Sequence, residues 1–319
     1  MKKVVALCLA GIIVVGMIYT HPAFAHNFGG DQSATFIAKT YEIKAEVNQV
    51  AKNIGNADSI GYYADALNEY WNANDTKEMG ERNSLLAKEI PDTINATLEA
   101  AKSGDSASVD SHISDLNGYL AEALQARVDP DKANNSTIQA LAVAYVSKEV
   151  LEKYGTAINS TVDLTDMSNM NMNNMKNGNN TGGMSSSGSM NGMSMAPQPQ
   201  AIVDQNAYDN SIALAMSAQQ MFSDVASKNP SNTYNSKISD AFTKLISDLN
   251  AKADGNTIMM DVHEGIHPGL ISGYNVPLES SSTTAGNPNA AVPEFPLPVL
   301  LTLISVAGVI TITRLKGLR

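Results

Sequence analysis

Hydrophobic positions between Ser33 and Tyr274 recur at intervals of three, four or seven residues, the spacing of an amphipathic α-helix. Eight such stripes follow one another along the chain. They begin at Phe36, Ile60, Leu85, Val109, Ile138, Tyr208, Ile238 and Ile258. No alternating pattern typical of a β-strand competes with them. The sequence therefore predicts an all-α fold, an antiparallel helical bundle with short connections.

Glycine, proline and capping residues predict where these helices end. Gly55 is expected just beyond the first helix, as a left-handed terminating residue. Pro91 is expected to kink or split the third. The motif "DPD" at 129–131 closes the fourth, and Ser136 or Thr137 is the predicted N-cap of the fifth.

One segment, residues 161–200, breaks the helical pattern with Asn, Met, Ser and Gly. Such a composition buries too little apolar surface to offset its ordering entropy, so it predicts a disordered loop. It separates helical residues 26–160 from helical residues 201–276. We interpret it as an insertion in a single domain, with two small bundles as the alternative. Residues 277–295 form a second predicted flexible linker.

The N-terminal residues 1–25 are typical of a secretory signal peptide. Lys2 and Lys3 precede a long apolar run, and Ala23 and Ala25 supply a small-x-small cleavage pattern. The alternative is an uncleaved membrane anchor. If cleavage follows Ala25, the mature chain begins at the next residue, outside the cytoplasm.

The C-terminal residues 296–319 predict a membrane helix. An apolar run follows "PEF", and Arg314, Lys316 and Arg319 then place that end in the cytoplasm. This arrangement resembles the archaeal PEFG-type C-terminal sorting signals, with Pro296 where that family has Gly. The resemblance implies that a membrane enzyme could replace the tail with a lipid anchor. The predicted location is extracytoplasmic, anchored to the cell membrane by the C-terminus.

The segment between these two ends is acidic and lacks cysteine. It contains all 32 acidic residues but only 16 of the 21 basic ones, a net charge of −16. A surface this acidic argues against nucleic acid as a partner and is compatible with cations. The carboxylates recur at the spacing of exposed helix faces, which predicts that they lie at the surface.

Methionine is concentrated in the predicted loop, which contains eight of the chain's 15. These are Met167, Met170, Met172, Met175, Met184, Met190, Met193 and Met195. Thioethers two or three residues apart can surround one soft ion, such as Cu(I) or Ag(I), without a preformed site. The pattern resembles the Met-rich motifs of extracytoplasmic copper transporters and copper-resistance proteins. The alternatives are low-complexity drift in a spacer and an oxidation sink.

After signal cleavage the chain would begin with His26, whose free amine and imidazole could chelate one Cu(II) ion. This ligand arrangement resembles the terminal histidine of periplasmic copper carriers and of the oxidative polysaccharide-cleaving copper enzymes. Those folds are β-rich, so the resemblance is limited to the ligands. The residue after a cleavage site can also be arbitrary.

The motif "HEGIH" offers a second set of ligands, His263, Glu264 and His267. On a helix, H-E-x-x-H places two zinc ligands on one face, with the glutamate as general base of a peptidase. Gly265 and Pro268 are expected to weaken that helix. Three interpretations stay open: a zinc peptidase, a plain metal site, and a helix end bearing two polar histidines.

His112 lies on an apolar stripe and is either a core histidine or, if its helix approaches His263, a further ligand. The pair Glu264 and His267 has the Glu-x-x-His spacing of di-iron sites but lacks a second such pair. The sequence thus predicts a membrane-tethered protein that binds or buffers copper and is not an enzyme. Zinc at His263 and His267 is the alternative metal. A structural protein that binds other cell-envelope proteins is the alternative function, and a zinc-dependent peptidase the third.

Overall fold

The structure, a computed structural model, describes residues 30–166 and 199–278. The elements within these two ranges are helical, so the predicted all-α class is confirmed. In chain order they are α1 (Gln32–Lys52), α2 (Ala57–Tyr70), α3 (Ala73–Arg82), α4 (Ser84–Ser103), α5 (Ser106–Arg127), α6 (Pro130–Ala133), α7 (Ser136–Ala157), α8 (Gln205–Lys228), α9 (Asn235–Asn250), α10 (Gly255–Met260), a π-helix (Asp261–Ile266) and α11 (His267–Tyr274).

Asparagine and aspartate side chains begin most of these helices. In eight of the described helices the N-cap side chain accepts a hydrogen bond from a backbone N–H of the first turn, a contact worth about 1 kcal/mol. The capping residues are Asp31, Asn56, Asn72, Asn83, Asp105, Asn135, Asp204 and Asp254. Because Asn135 caps α7, the predicted N-cap at Ser136 or Thr137 is wrong by one or two residues.

Pro91 lies inside α4, which runs unbroken from Ser84 to Ser103. The expectation that it splits the helix is wrong. Ile90 and Ile94, on either side of the proline, are both buried in the bundle core. This packing holds the two halves in one helix despite the missing N–H.

The most extensive helix–helix contact in the described part of the chain joins α7 and α8. Both helices bury small side chains, which permits a close approach of their backbones. These are Ala140, Ala144 and Ser147 on α7, and Ala207, Ser211 and Ala215 on α8. α1 packs against both helices. One hydrophobic core therefore contains residues from before and after residues 167–198.

The chain leaves α7 and enters α8 at the same end of the bundle. The backbone N–H groups of Val203 and Asp204 donate to the carbonyl of Ala157, at 2.8 and 3.1 Å. The N–H of Gln200 donates to the carbonyl of Lys252, just beyond α9, at 2.7 Å. These bonds fix α8 antiparallel to α7 whatever lies between them.

Several predicted segments lie outside the described residues. They are the signal peptide at 1–25, the methionines of the loop, residues 279–295 of the linker and the membrane anchor at 296–319. Within the two described ranges, no helix is both long enough and apolar enough to cross a bilayer.

Because the described residues on either side of 167–198 contact the bundle, through Leu164 and through Gln200, Val203 and Asp204, we predict that the fold does not need this segment. Replacement by a Gly-Ser linker of about twelve residues should leave the thermal midpoint unchanged or raise it by a few degrees, since shortening a loop recovers roughly 1 kcal/mol or less of closure entropy. Circular dichroism during heating measures the midpoint.

The reference variant is Phe242→Ala, which removes a fully buried ring. It should lower the free energy of unfolding by about 3–5 kcal/mol. A linker variant that loses as much stability as Phe242→Ala would show that residues 167–198 are part of the fold.

Candidate functional site

The "HEGIH" motif lies in a continuous helical run rather than at a helix end. α10 passes into the π-helix Asp261–Ile266, and α11 continues to Tyr274. His267 has helical backbone angles, φ −56° and ψ −46°, although Pro268 follows it. The expectations that Pro268 disfavours this geometry and that the helix ends here are therefore wrong.

The wider π turn explains how the helix accommodates Pro268. In an α-helix a proline ring clashes with the carbonyl four residues earlier, here that of Glu264. In a π turn each backbone N–H bonds to the carbonyl five residues earlier rather than four. The carbonyl of Glu264 is thereby moved away from the proline ring. The glycines allow close packing on α9: a Cβ at Gly269 would lie 2.5 Å from Cγ1 of Ile238, and one at Gly265 would lie 3.3 Å from Cβ of Ala241.

His263 and His267 lie side by side and are both buried, 4% and 2% exposed. Their ring centroids are 5.0 Å apart, and the ring planes meet at 85°. An imidazole–metal bond is about 2.0–2.1 Å. Rings at this separation are therefore within reach of one ion.

Leu164, just before the Met-rich segment, contacts the histidine pair. Nε2 of His263 lies 3.2 Å from the carbonyl oxygen of Leu164. A carbonyl only accepts hydrogen bonds, so this contact favours the tautomer with hydrogen on Nε2 and the lone pair on Nδ1. Met167 follows Leu164 by three residues. The pair thus lies where the chain enters its thioether-rich part.

Glu264 does not share the burial of the two histidines. It is exposed and lines a groove of about 360 Å³ with Lys244, Thr257, Met260, Asp261 and Gly265. Asp261 accepts a hydrogen bond from Lys244 Nζ at 2.6 Å, and burial raises the pKa of this carboxyl. A zinc peptidase needs its glutamate beside a solvent-accessible metal. This arrangement does not provide that geometry.

His112 is half-buried in α5 rather than enclosed in the core. In the described ranges, no group of three or more His, Cys, Asp or Glu side chains converges as a metal site. His112, His263, Glu264 and His267 therefore do not form a complete ligand set by themselves. His26 and the eight methionines of the predicted loop lie outside the described residues.

A second polar site, which sequence reasoning missed, lies inside the bundle along α1. Glu42 and Glu46 are four residues apart and both buried, 7% and 0% exposed. The prediction that the carboxylates lie at the surface is therefore wrong for these two. α1 is buried on nearly all sides, since alanine and threonine fill the positions between its large apolar residues. Positions 42 and 46 are among those that face the bundle.

The environment of Glu46 keeps its proton bound to higher pH. Nδ2 of Asn210 donates to Glu46 Oε1 at 2.8 Å, whereas Oε2 has no hydrogen-bond partner among the described residues. Burial raises the pKa of Glu46 to about 7, although the bond from Asn210 acts in the opposite direction. Burial, reinforced by the charge of Glu149, raises the pKa of Glu42 to about 8.

Glu149 of α7 is the best-compensated carboxylate near this site. It accepts hydrogen bonds from Tyr70 Oη and from Lys153 Nζ, each at 3.0 Å. Burial raises the pKa of the Tyr70 hydroxyl above its ordinary range, and Glu149 adds to the effect. At this site Glu149 therefore has partners in Tyr70 and Lys153. Glu42 and Glu46 instead have raised pKa values, which favour their protonated forms.

Comparison with protein-family models, curated proteins and solved structures finds no match for this chain. The two sites themselves are therefore the evidence for function.

The raised pKa values predict that stability falls as pH rises. Glutamates ionise near pH 4.3 in the unfolded chain, whereas Glu42 and Glu46 keep their protons to about pH 8 and 7. Their stabilising effect is complete below the unfolded value and is lost as pH rises through the folded one. The free energy of unfolding should fall from pH 5 to 8, and urea denaturation measures it.

The variant Glu46→Gln can keep the bond from Asn210 but cannot ionise. Its loss of stability over this pH range should be smaller than that of the wild type, by roughly 2–3 kcal/mol. The matched control is Glu99→Gln, at an exposed carboxylate of α4, which should keep the wild-type slope. Equal slopes in all three proteins would contradict the raised pKa.

Proposed function

We propose that this chain is a membrane-tethered, extracytoplasmic copper-binding protein. The ligands are His263, His267 and the thioethers of the Met-rich segment, with His26 at the mature N-terminus as a further Cu(II) ligand. The observation that carries the proposal is the 3.2 Å contact between His263 Nε2 and the carbonyl of Leu164, three residues before Met167. It supports a site at which fixed imidazoles and soft ligands from the segment meet.

The ligand chemistry favours copper over other common ions. Thioether sulfur selects Cu(I), and imidazole binds copper in both oxidation states. A histidine that binds metal usually donates its other ring N–H to a carbonyl, as the His263 contact with Leu164 allows. No proton must leave a thioether, so binding to the segment would persist in acid.

The proposed role is binding and buffering rather than turnover of a substrate. Glu264, which a zinc peptidase would use as its base, is exposed while the histidines are buried. Two imidazoles with several exchangeable thioethers suit an ion that is taken up and passed on. The proposed signal peptide and C-terminal anchor would hold this site outside the membrane.

Titration of the purified chain with Cu(I) against a competing chelator tests this function. The wild type should compete with the chelator. Replacement of residues 167–198 by the Gly-Ser linker should weaken Cu(I) binding by about 100-fold or more, because most of its soft ligands are then lost. The double variant His263→Gln, His267→Gln should weaken it by about tenfold.

The matched control is His112→Gln, which changes a half-buried histidine of α5 and should leave the affinity unchanged. Circular dichroism verifies that each variant is folded. Wild-type affinity in the linker variant would overturn the proposal and favour a structural protein of the cell envelope with the segment as a spacer. Zinc bound more tightly than copper would favour the alternative metal.

A further inference from the structure

An open cavity of about 370 Å³ lies where α1, α2 and α7 meet. The residues that line it include Glu42, Glu69, Tyr70, Tyr145 and Lys39. These residues bring two carboxyl groups, one ammonium group and two aromatic rings to one space. This cavity is separate from the histidine pair and has no part in the proposed copper site.

Glu42 is the distinctive group of this cavity. It lines the cavity although it is only 7% exposed, and it makes no hydrogen bond or ion pair with any described residue. The ammonium groups that act on it belong to Lys39 and Lys153. Lys39 is bonded to Asp75 at 2.8 Å, and Lys153 to Glu149 at 3.0 Å. An ionised Glu42 is thus left without a counter-charge of its own.

A ligand that supplies this counter-charge must be a cation. Glu42 and Glu69 would repel an anion, and a neutral ligand would leave the Glu42 charge uncompensated. A bare metal ion needs several converging ligands, and among the described residues no group of three forms here. An organic cation needs one carboxylate together with aromatic faces, which attract it through their π electrons. The aromatic residues that line this cavity are Tyr145 and Tyr70, and the ring of Tyr70 already has one cation, Lys153 Nζ, 5.9 Å from its centroid.

We infer that this cavity binds a small organic cation of the alkylammonium class. The charge lies against the Glu42 carboxylate, and the alkyl groups lie against the rings of Tyr70 and Tyr145. Glu69, at the exposed side of the cavity, adds attraction that solvent screens. Bound cation would stabilise the ionised form of Glu42.

Calorimetric titration of the full chain with tetramethylammonium and with n-butylammonium tests the inference. Tetramethylammonium carries its charge at every pH, so changes in its affinity report the protein alone. Both cations should bind and raise the thermal midpoint. tert-Butanol, of similar shape but neutral, should do neither. Ca²⁺ and Mg²⁺ are titrated in parallel.

Glu42→Gln is the decisive variant, since it removes the charge and keeps the shape. It should weaken binding of tetramethylammonium by at least about tenfold. It should remain folded, because glutamine has the shape of the protonated glutamic acid and places no charge in the bundle. Glu69→Gln, at an exposed carboxylate, is the matched control and should weaken binding by less than about threefold.

The pH dependence supplies a second readout. The titratable groups facing Glu42 are Lys39 and Glu46 of α1, Glu69 and Tyr70 of α2, and Tyr145, Glu149 and Lys153 of α7. Because the pKa of Glu42 is raised to about 8, tetramethylammonium should bind more tightly at pH 9 than at pH 6. Glu42→Gln should lose most of this difference.

Either of two results would overturn the inference. One is equal affinity for tetramethylammonium in the wild type and in Glu42→Gln. The other is binding of Ca²⁺ or Mg²⁺ without binding of either ammonium ion.

Discussion

The contact between α7 and α8 is the constraint on which the rest of the bundle depends. The carbonyl of Ala157 accepts hydrogen bonds from Val203 and Asp204, so one helix begins where the other ends. Small buried residues then bring the two helices together along their length. Of the chain between them the structure describes residues 158–166 and 199–204, and Leu164 in this connection packs into the core.

Both polar sites adjoin α7. At one end of α7, Leu164 returns over the π-helix and contacts His263, which places buried imidazoles beside the start of the Met-rich segment. Along α7 itself, Glu149 and Lys153 face α1 and form an ion pair. α1 is enclosed by its neighbours, and its two glutamates are buried with it. The first site offers two buried imidazoles, and the second offers carboxyl groups together with tyrosine side chains.

The sequence predicts the all-α class, because the spacing of apolar residues is a local signal, although it misplaces the N-cap of α7, which is Asn135. It predicts the sites poorly, because each depends on contacts between distant parts of the chain. The spacing of Glu42 and Glu46 matches an exposed face, and only the enclosure of α1 makes them buried. The contact between Leu164 and His263 spans 99 positions and has no local signal. Pro268 predicts a helix end that the structure does not have. The π turn that accommodates the proline is formed by the preceding residues, Asp261–Ile266, and has no signal at Pro268 itself.

The central claim is that histidines of the bundle and thioethers of the inserted segment bind the same ion. X-ray absorption at the copper edge of the Cu(I)-loaded full chain tests this most directly, because sulfur and imidazole scatter differently. We predict that sulfur and imidazole scattering both surround the copper, and that His263→Gln with His267→Gln removes only the imidazole part. A spectrum with nitrogen and oxygen scattering alone would contradict the claim. A wild-type spectrum with sulfur scattering and no imidazole scattering would also contradict the claim.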